Sequence, residues 1–312
     1  MGIFEVRGGK SLSGEITPQG AKNEALQIIS AVLLTDEEVI IKNIPDIIDV
    51  NLQIELLAEM QVKINRIDRH TCSFKADDVN VAYLSSKEFH KKSSRLRGSV
   101  MLAGPLLARF KKAFLPKPGG DKIGRRRLDT HIIGFEKLNA NFSYKEGEGY
   151  FTLQTPGLKG TYMLLDEPSV TGTANILMAA VMAEGATTIY NAACEPYLQQ
   201  LCKMLSRMGA KIEGIGSNML IINGVEKLKG TEHTLLADMI EVGSFIGLAA
   251  MTQSDITIKN AGVKELGIIP EKFRQLGITM HFKGDDIHVP AQEIYEIQKY
   301  LDGGVLTIYD HR

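Results

Sequence analysis

The sequence predicts an α/β (α+β) fold built from repeated β-α-β-α-β-β units, and three observations carry that expectation. First, a pattern recurs: Leu12-Ser-Gly14, Leu158-Lys-Gly160 and Leu228-Lys-Gly230 each precede, by about thirty residues, a β-branched stretch ending in Asn43, Asn191 or Asn260. Second, the apolar residues inside each interval switch from helical spacing to strand alternation. Third, the helices have broad, alanine-rich apolar faces, as at Ala179, Ala180 and Ala183, which suits helices packed closely inside rather than shielding a central sheet.

The first unit opens with a short strand after Gly14. Leu26, Ile29, Val32 and Leu33 then mark a helix, Glu38-Val-Ile-Ile-Lys42 a strand, and Leu52, Leu56, Leu57 and Met60 a second helix, with two more strands after Lys63. A further copy lies in a basic stretch, where Leu102–Ala108 and Leu128–Leu138 are the two helices and the turn between them is the glycine-rich Lys117-Pro-Gly-Gly-Asp-Lys-Ile-Gly-Arg-Arg-Arg127. In the copies that begin at Gly160 and Gly230, the second helices end at Gly209 and Gly277, the position a C-cap glycine takes. Four units fit between about residue 12 and residue 290, and Ala291–Arg312 reads as the opening of a fifth, so the sequence is expected to be a fragment.

Composition narrows the function. Hydrophobic residues make up 44% and charged residues 23%, the balance of a folded chain rather than a disordered one. The longest apolar run, Ile176–Ala183, is too short to span a bilayer, and Met1–Lys10 is no apolar leader, so no membrane association and a cytoplasmic location are expected. Cys72, Cys194 and Cys202 include no Cys-x-x-Cys pair, and the histidines are scattered, which predicts neither disulfides nor a metal site. A net charge of −1 hides an asymmetry: between Lys87 and Arg127 thirteen lysines and arginines face only Glu88 and Asp121. Such a field attracts anions. With only Phe89, Phe110 and Phe114 in the stretch there is no aromatic stacking platform, and no nucleic-acid motif occurs, so no nucleic-acid partner is expected, and phosphorylated small molecules or a merely solvated charged face remain the readings.

Two places could carry chemistry. Gly119-Gly-Asp-Lys-Ile-Gly124 can present backbone N–H groups to an anion, although it is not a P-loop, and Asp121 sits on it among cations, where a general acid could work or where it could simply form the turn. Gly20-Ala-Lys-Asn23 precedes the first helix. Lys22 there opposes the helix dipole, a cost that makes sense if an anion binds, the alternative being a solvated lysine.

Taken in order, Gly20-Ala-Lys-Asn23, Arg97 with Ala103-Gly-Pro105, Pro118-Gly-Gly-Asp-Lys-Ile-Gly124 with Arg126-Arg-Leu-Asp-Thr-His131, Ser169-Val170, Asn191-Ala-Ala-Cys-Glu-Pro196 and Asp238-Met-Ile-Glu-Val-Gly243 resemble the UDP-N-acetylglucosamine 1-carboxyvinyltransferases. The likeness covers nearly the whole chain. It implies an inside-out α/β barrel, the enolpyruvyl transferase fold, in two domains with the active site between them. Residues 22–229 would form a complete domain of three units, and 1–21 with 230–312 a second, incomplete one.

The resemblance also implies the reaction: transfer of the enolpyruvyl group from phosphoenolpyruvate to the 3′-hydroxyl of UDP-N-acetylglucosamine, with release of phosphate, at the first committed step of peptidoglycan synthesis. No metal or other cofactor is implied. Carried over, Asp121 would be the acid, and Lys22, Arg97 and Arg126 would hold phosphate and carboxylate. Asn23, Glu195 and Asp238 would contact the sugar, and Asp129, His131, Ser169 and Val170 would line the nucleotide pocket. This chain departs from the family where Asp121 replaces a usual cysteine, Arg127 a usual proline, Cys194 a frequent arginine and Glu167 a lysine. A carboxylic acid can donate a proton but is a far weaker nucleophile than thiolate, which predicts resistance to fosfomycin. The family's general base would lie beyond Arg312, so the chain as written is expected not to turn over. The competing reading is a noncatalytic remnant that binds a UDP-sugar or a polyanion. The related enolpyruvylshikimate phosphate synthases fit less well, since they carry Gly-Ser-Lys-Ser where this chain has Gly20-Ala-Lys-Asn23.

Overall fold

The computed structural model describes residues 3–116, 128–144, 150–304 and 307. They divide into two compact units, 22–235 and 1–21 with 236–312.

In the larger unit, two helices are almost wholly buried: Lys22–Ala31 from Glu24 onward and Val170–Ala180 from Gly172 onward. With Ala103–Phe110, which packs on Val170–Ala180, they form the interior, and the sheets lie outside them. Close approach sets this packing. A Cβ on Gly104 would sit 2.2 Å from the Asn175 carbonyl oxygen, so no larger residue fits at that crossing. Asn175, fully buried, fastens the same contact: its Oδ1 accepts from the Gly104 N–H at 2.7 Å and its Nδ2 donates to the Val100 carbonyl at 2.7 Å.

Two of the sheets share one design. Thr231–Thr234 runs parallel to Glu38–Lys42, which pairs antiparallel with Thr71–Lys75 and through it with Lys63–Asp68. Tyr162–Leu164 runs parallel to Ala186–Tyr190, which pairs with Met219–Asn223 and then Lys211–Glu213. The recurring glycine and asparagine now have a cause. A Cβ on Gly160 would lie 2.4 Å from the Ala186 oxygen and one on Gly230 2.3 Å from the Glu38 oxygen, so glycine lets the two parallel strands start side by side. Asn43 and Asn191 take the left-handed conformation, φ 59° and 60°, and each side-chain amide donates to the carbonyl just past the leading strand, Leu235 at 3.0 Å and Leu165 at 3.1 Å. The unit's third sheet orders Lys112–Pro116, Tyr150–Gln154 and Asn141–Tyr144. Among the described residues it has no parallel leading strand; ahead of its first helix the chain runs instead through Val81–Ser85 and the helix Lys87–Ser93.

In the smaller unit, Ser13–Ile16 runs parallel to Asp255–Ile258, followed by Asp286–Val289 and His281–Lys283. The helix Met239–Met251 buries Val242, Ile246 and Ala249 on one face, while Ile240 and Met251 are exposed.

The leading strands are therefore exchanged. Ser13–Ile16, read as the opening of the unit ending at Asn43, pairs with the strand before Asn260, and Thr231–Thr234 takes its place beside Glu38–Lys42. This moves the division of the chain from 229/230 to 235/236, because Thr231–Thr234 is hydrogen-bonded into the larger unit.

Candidate active site

Lys22 and Asn23 form the first turn of the helix Lys22–Ala31. Lys22 is half-exposed, with Nζ 2.5 Å from Asp49 Oδ2, a carboxylate in the first turn of the helix Ile48–Glu59. Asn23 is exposed. Arg97 begins the 3-10 helix Arg97–Leu102, and the next residue lies against the same first helix: a Cβ on Gly98 would be 2.7 Å from Leu26 Cδ1. Leu26 is one turn along from Lys22 and Asn23, so two of the expected anion-binding cations come from neighbouring backbone segments. Asp121, Arg126 and Arg127 lie outside the described residues.

His131 is almost completely buried in the helix Asp129–Lys137. The Asn175 amide is oriented by the bonds already described, so its Nδ2, 3.1 Å away, donates to His131 Nδ1. The ring proton therefore sits on Nε2 and points to Thr171 Oγ1 at 3.2 Å. Burial, reinforced by the nearby Arg97 charge, pushes the imidazole down to about 4. His131 is thus a neutral, almost completely buried ring. Thr171, which it touches, lies in the first turn of the helix Val170–Ala180, where Ser169 is the N-cap and accepts from the Gly172 N–H at 3.2 Å. Arg97, His131 and that helix N-terminus are therefore brought together, with Asp129 opening the helix that carries His131.

Two further candidates stand at the N-termini of other helices. Glu195 is exposed at the N-terminus of Pro196–Arg207, next to exposed Cys194. Asp238, in the smaller unit, is the N-cap of Met239–Met251 and accepts from Ile240 N at 2.9 Å and Glu241 N at 3.3 Å. The basic stretch is partly spent on structure. Arg109 donates to the Leu33, Thr35 and Ala76 carbonyls, and Lys92 pairs with Glu55 and Glu59. Fewer cations are left for a polyanion than the sequence suggests. Among the described residues no His, Cys, Asp and Glu group could hold a metal ion, and no helix is long and apolar enough to cross a membrane. Sequence reasoning missed Asp49, Thr171 and Asn175, none of which stands out in a linear motif.

Two predictions arise here. Asn175→Ala strips partners from Gly104 N–H, the Val100 carbonyl and His131 Nδ1 in a dry interior, and denaturant melts are expected to show a loss of about 2–4 kcal/mol. For His131, the folded ring titrates near 4 and the unfolded one near 6.5, so between those values the unfolded chain binds more protons and stability rises with pH. Its contribution, about 3 kcal/mol, is complete above pH ~6.5 and gone below ~4; melts across that window should show a slope that flattens in His131→Gln.

The model of the EPSP synthase (3-phosphoshikimate 1-carboxyvinyltransferase) family matches residues 6–303. The chain is 64% identical over 310 residues to the UDP-N-acetylglucosamine 1-carboxyvinyltransferase of Bacteroides thetaiotaomicron, covering 99% of this chain and 71% of that protein. It is 62% identical to the Porphyromonas gingivalis protein of the same name, and 44% identical to that of Bradyrhizobium diazoefficiens. Among solved structures, the enolpyruvyl transferase NikO from Streptomyces tendae superposes with a TM-score of 0.79 at 19% identity, covering 91% of this chain and 66% of that one. EPSP synthase from Acinetobacter baumannii gives 0.62 at 17% with the same coverage, and these two likenesses show the fold, the inside-out α/β barrel architecture. The chain belongs to the carboxyvinyltransferase family, and within it to the UDP-N-acetylglucosamine 1-carboxyvinyltransferases.

Proposed function

We propose that this protein transfers the enolpyruvyl group of phosphoenolpyruvate to the 3′-hydroxyl of UDP-N-acetylglucosamine and releases phosphate. The observation that carries the reading is 64% identity, along 99% of the chain, to a protein named for that transfer. The neighbouring positions of Lys22 and Arg97 support it, since a trianionic substrate needs clustered cations.

The reaction is an addition followed by an elimination. The sugar oxygen attacks C2 of phosphoenolpyruvate, its proton passing to a base, while Asp121 donates a proton to C3. The tetrahedral ketal then expels phosphate from C2 and loses a proton from C3, which restores the double bond. Lys22, Arg97 and Arg126 offset the phosphate and carboxylate charge during addition. Asn23 contacts the sugar, with Glu195 and Asp238 as further sugar contacts. Asp129, Ser169 and Val170 line the nucleotide pocket, with His131 behind them. On this reading the enzyme works in the cytoplasm, and growth of the peptidoglycan wall, hence cell shape, cell cycle and division, draws on its product.

Phosphate release by the natively expressed enzyme tests this. Release should require phosphoenolpyruvate and UDP-N-acetylglucosamine together. Release with shikimate 3-phosphate in place of the nucleotide sugar, or DNA binding with a steep salt dependence and no release, would argue for the competing readings.

A further inference from the structure

Glu24 has no part in the chemistry above, yet it is fully buried and lies two residues from Lys22. A carboxylate there carries two costs. It has left water, and its charge opposes the anion that Lys22 is to hold.

The strand Thr231–Thr234 compensates both. His233, also buried, places Nε2 2.7 Å from Glu24 Oε1. Its Nδ1 lies 2.6 Å from Arg207 Nη2, which also donates to the Glu232 carbonyl at 3.3 Å. A guanidinium can only donate, so Nδ1 accepts, the ring is neutral, and its one proton, on Nε2, is donated to Glu24. A buried carboxylate is thereby tied, through one imidazole, to the positive charge of the exposed Arg207. The three residues come from a helix, a strand and the last turn of Pro196–Arg207, all within the larger unit. Glu24 also occupies the first helical turn, where the dipole favours an anion, so it offsets the penalty of Lys22 in the same turn.

We infer that Glu24, His233 and Arg207 form a positioning relay for the anion site, fixing the turn that carries Lys22 and Asn23 and keeping the Glu24 charge from opposing bound phosphate. The identity of the anion as phosphoenolpyruvate rests on the proposed function; the relay itself rests on the geometry.

Steady-state kinetics of the natively expressed enzyme tests the relay. Glu24→Ala and His233→Ala should raise KM for phosphoenolpyruvate about ten-fold, with kcat and the KM for UDP-N-acetylglucosamine changed less than about three-fold, the pattern of a lost binding interaction. Glu24→Gln keeps an acceptor for Nε2–H, and His233→Gln can donate to Glu24 while accepting from Arg207, so both should stay within about three-fold of the parent. A second readout needs no turnover: inorganic phosphate should protect Lys22 from acetylation, followed by mass spectrometry, at about ten-fold lower concentration in the parent than in His233→Ala. Alanine variants that melt earlier but keep the parent KM and the parent phosphate protection would overturn the relay. An inactive parent in which phosphate still protects Lys22 in this relay-dependent way would count against the proposed function alone.

Discussion

Prolonged incubation with fosfomycin is expected to leave the enzyme's activity unchanged, and the same treatment is expected to inactivate the Asp121→Cys variant progressively. The expectation follows from one side chain in a strongly cationic segment. An epoxide is opened by a good nucleophile, and a thiolate whose formation is favoured by Lys122, Arg125 and Arg126 would be one. A carboxyl group at Asp121 is a far poorer nucleophile, because any charge it carries is spread over two hard oxygens and it attacks carbon poorly. For turnover the comparison reverses. Both a carboxylic acid and a thiol can deliver a proton to C3, so Asp121→Cys should keep turning over while gaining at least a ~100-fold faster rate of covalent inactivation. The check is a time course of residual activity with peptide mass spectrometry. A fosfomycin adduct on Asp121 of the unaltered protein would sink the argument.

Replacing Lys22 by Gln should reduce kcat/KM for phosphoenolpyruvate about 10²- to 10³-fold, the usual loss on removing a preorganised charge-stabilising group. The helix dipole, the 2.5 Å ion pair with Asp49 and the neighbouring Arg97 segment place Lys22 where a cation is tolerated only with an anion nearby. Asp49→Asn, which removes this ion pair and keeps the Lys22 charge, should alter kcat/KM less than about five-fold, because a half-exposed pair contributes little. Equal losses in the two variants would mean that Lys22 matters through its ion pair, not through substrate.

The repeat was legible because its signals are local. The helix Lys22–Ala31, the strand Glu38–Lys42 and the glycine stops at 209 and 277 follow from apolar spacing and from backbone conformations that few residues adopt. The strand exchange was not legible. Ser13–Ile16 and Thr231–Thr234 are both four-residue leading strands that follow or contain the motif glycine, and either could pair parallel with a strand that ends in asparagine. Which one does so is decided by the fold, not by local preference. The site divides in the same way. Lys22 and Arg97 show in the sequence as cations where cations are costly or crowded, whereas the burial of His131 depends on Asn175 and Thr171, 44 and 40 residues away in number and adjacent in space. Glu24 and His233, 209 residues apart, meet only because the exchanged strand brings His233 to the first helix.

The most direct test of the account is the product itself. The natively expressed enzyme, given phosphoenolpyruvate and UDP-N-acetylglucosamine in deuterated water, should yield the nucleotide sugar carrying an enolpyruvyl ether on its 3′-oxygen, with deuterium at the transferred methylene and one phosphate released per ether formed. Unmodified nucleotide sugar, or phosphate released without the ether, would contradict it.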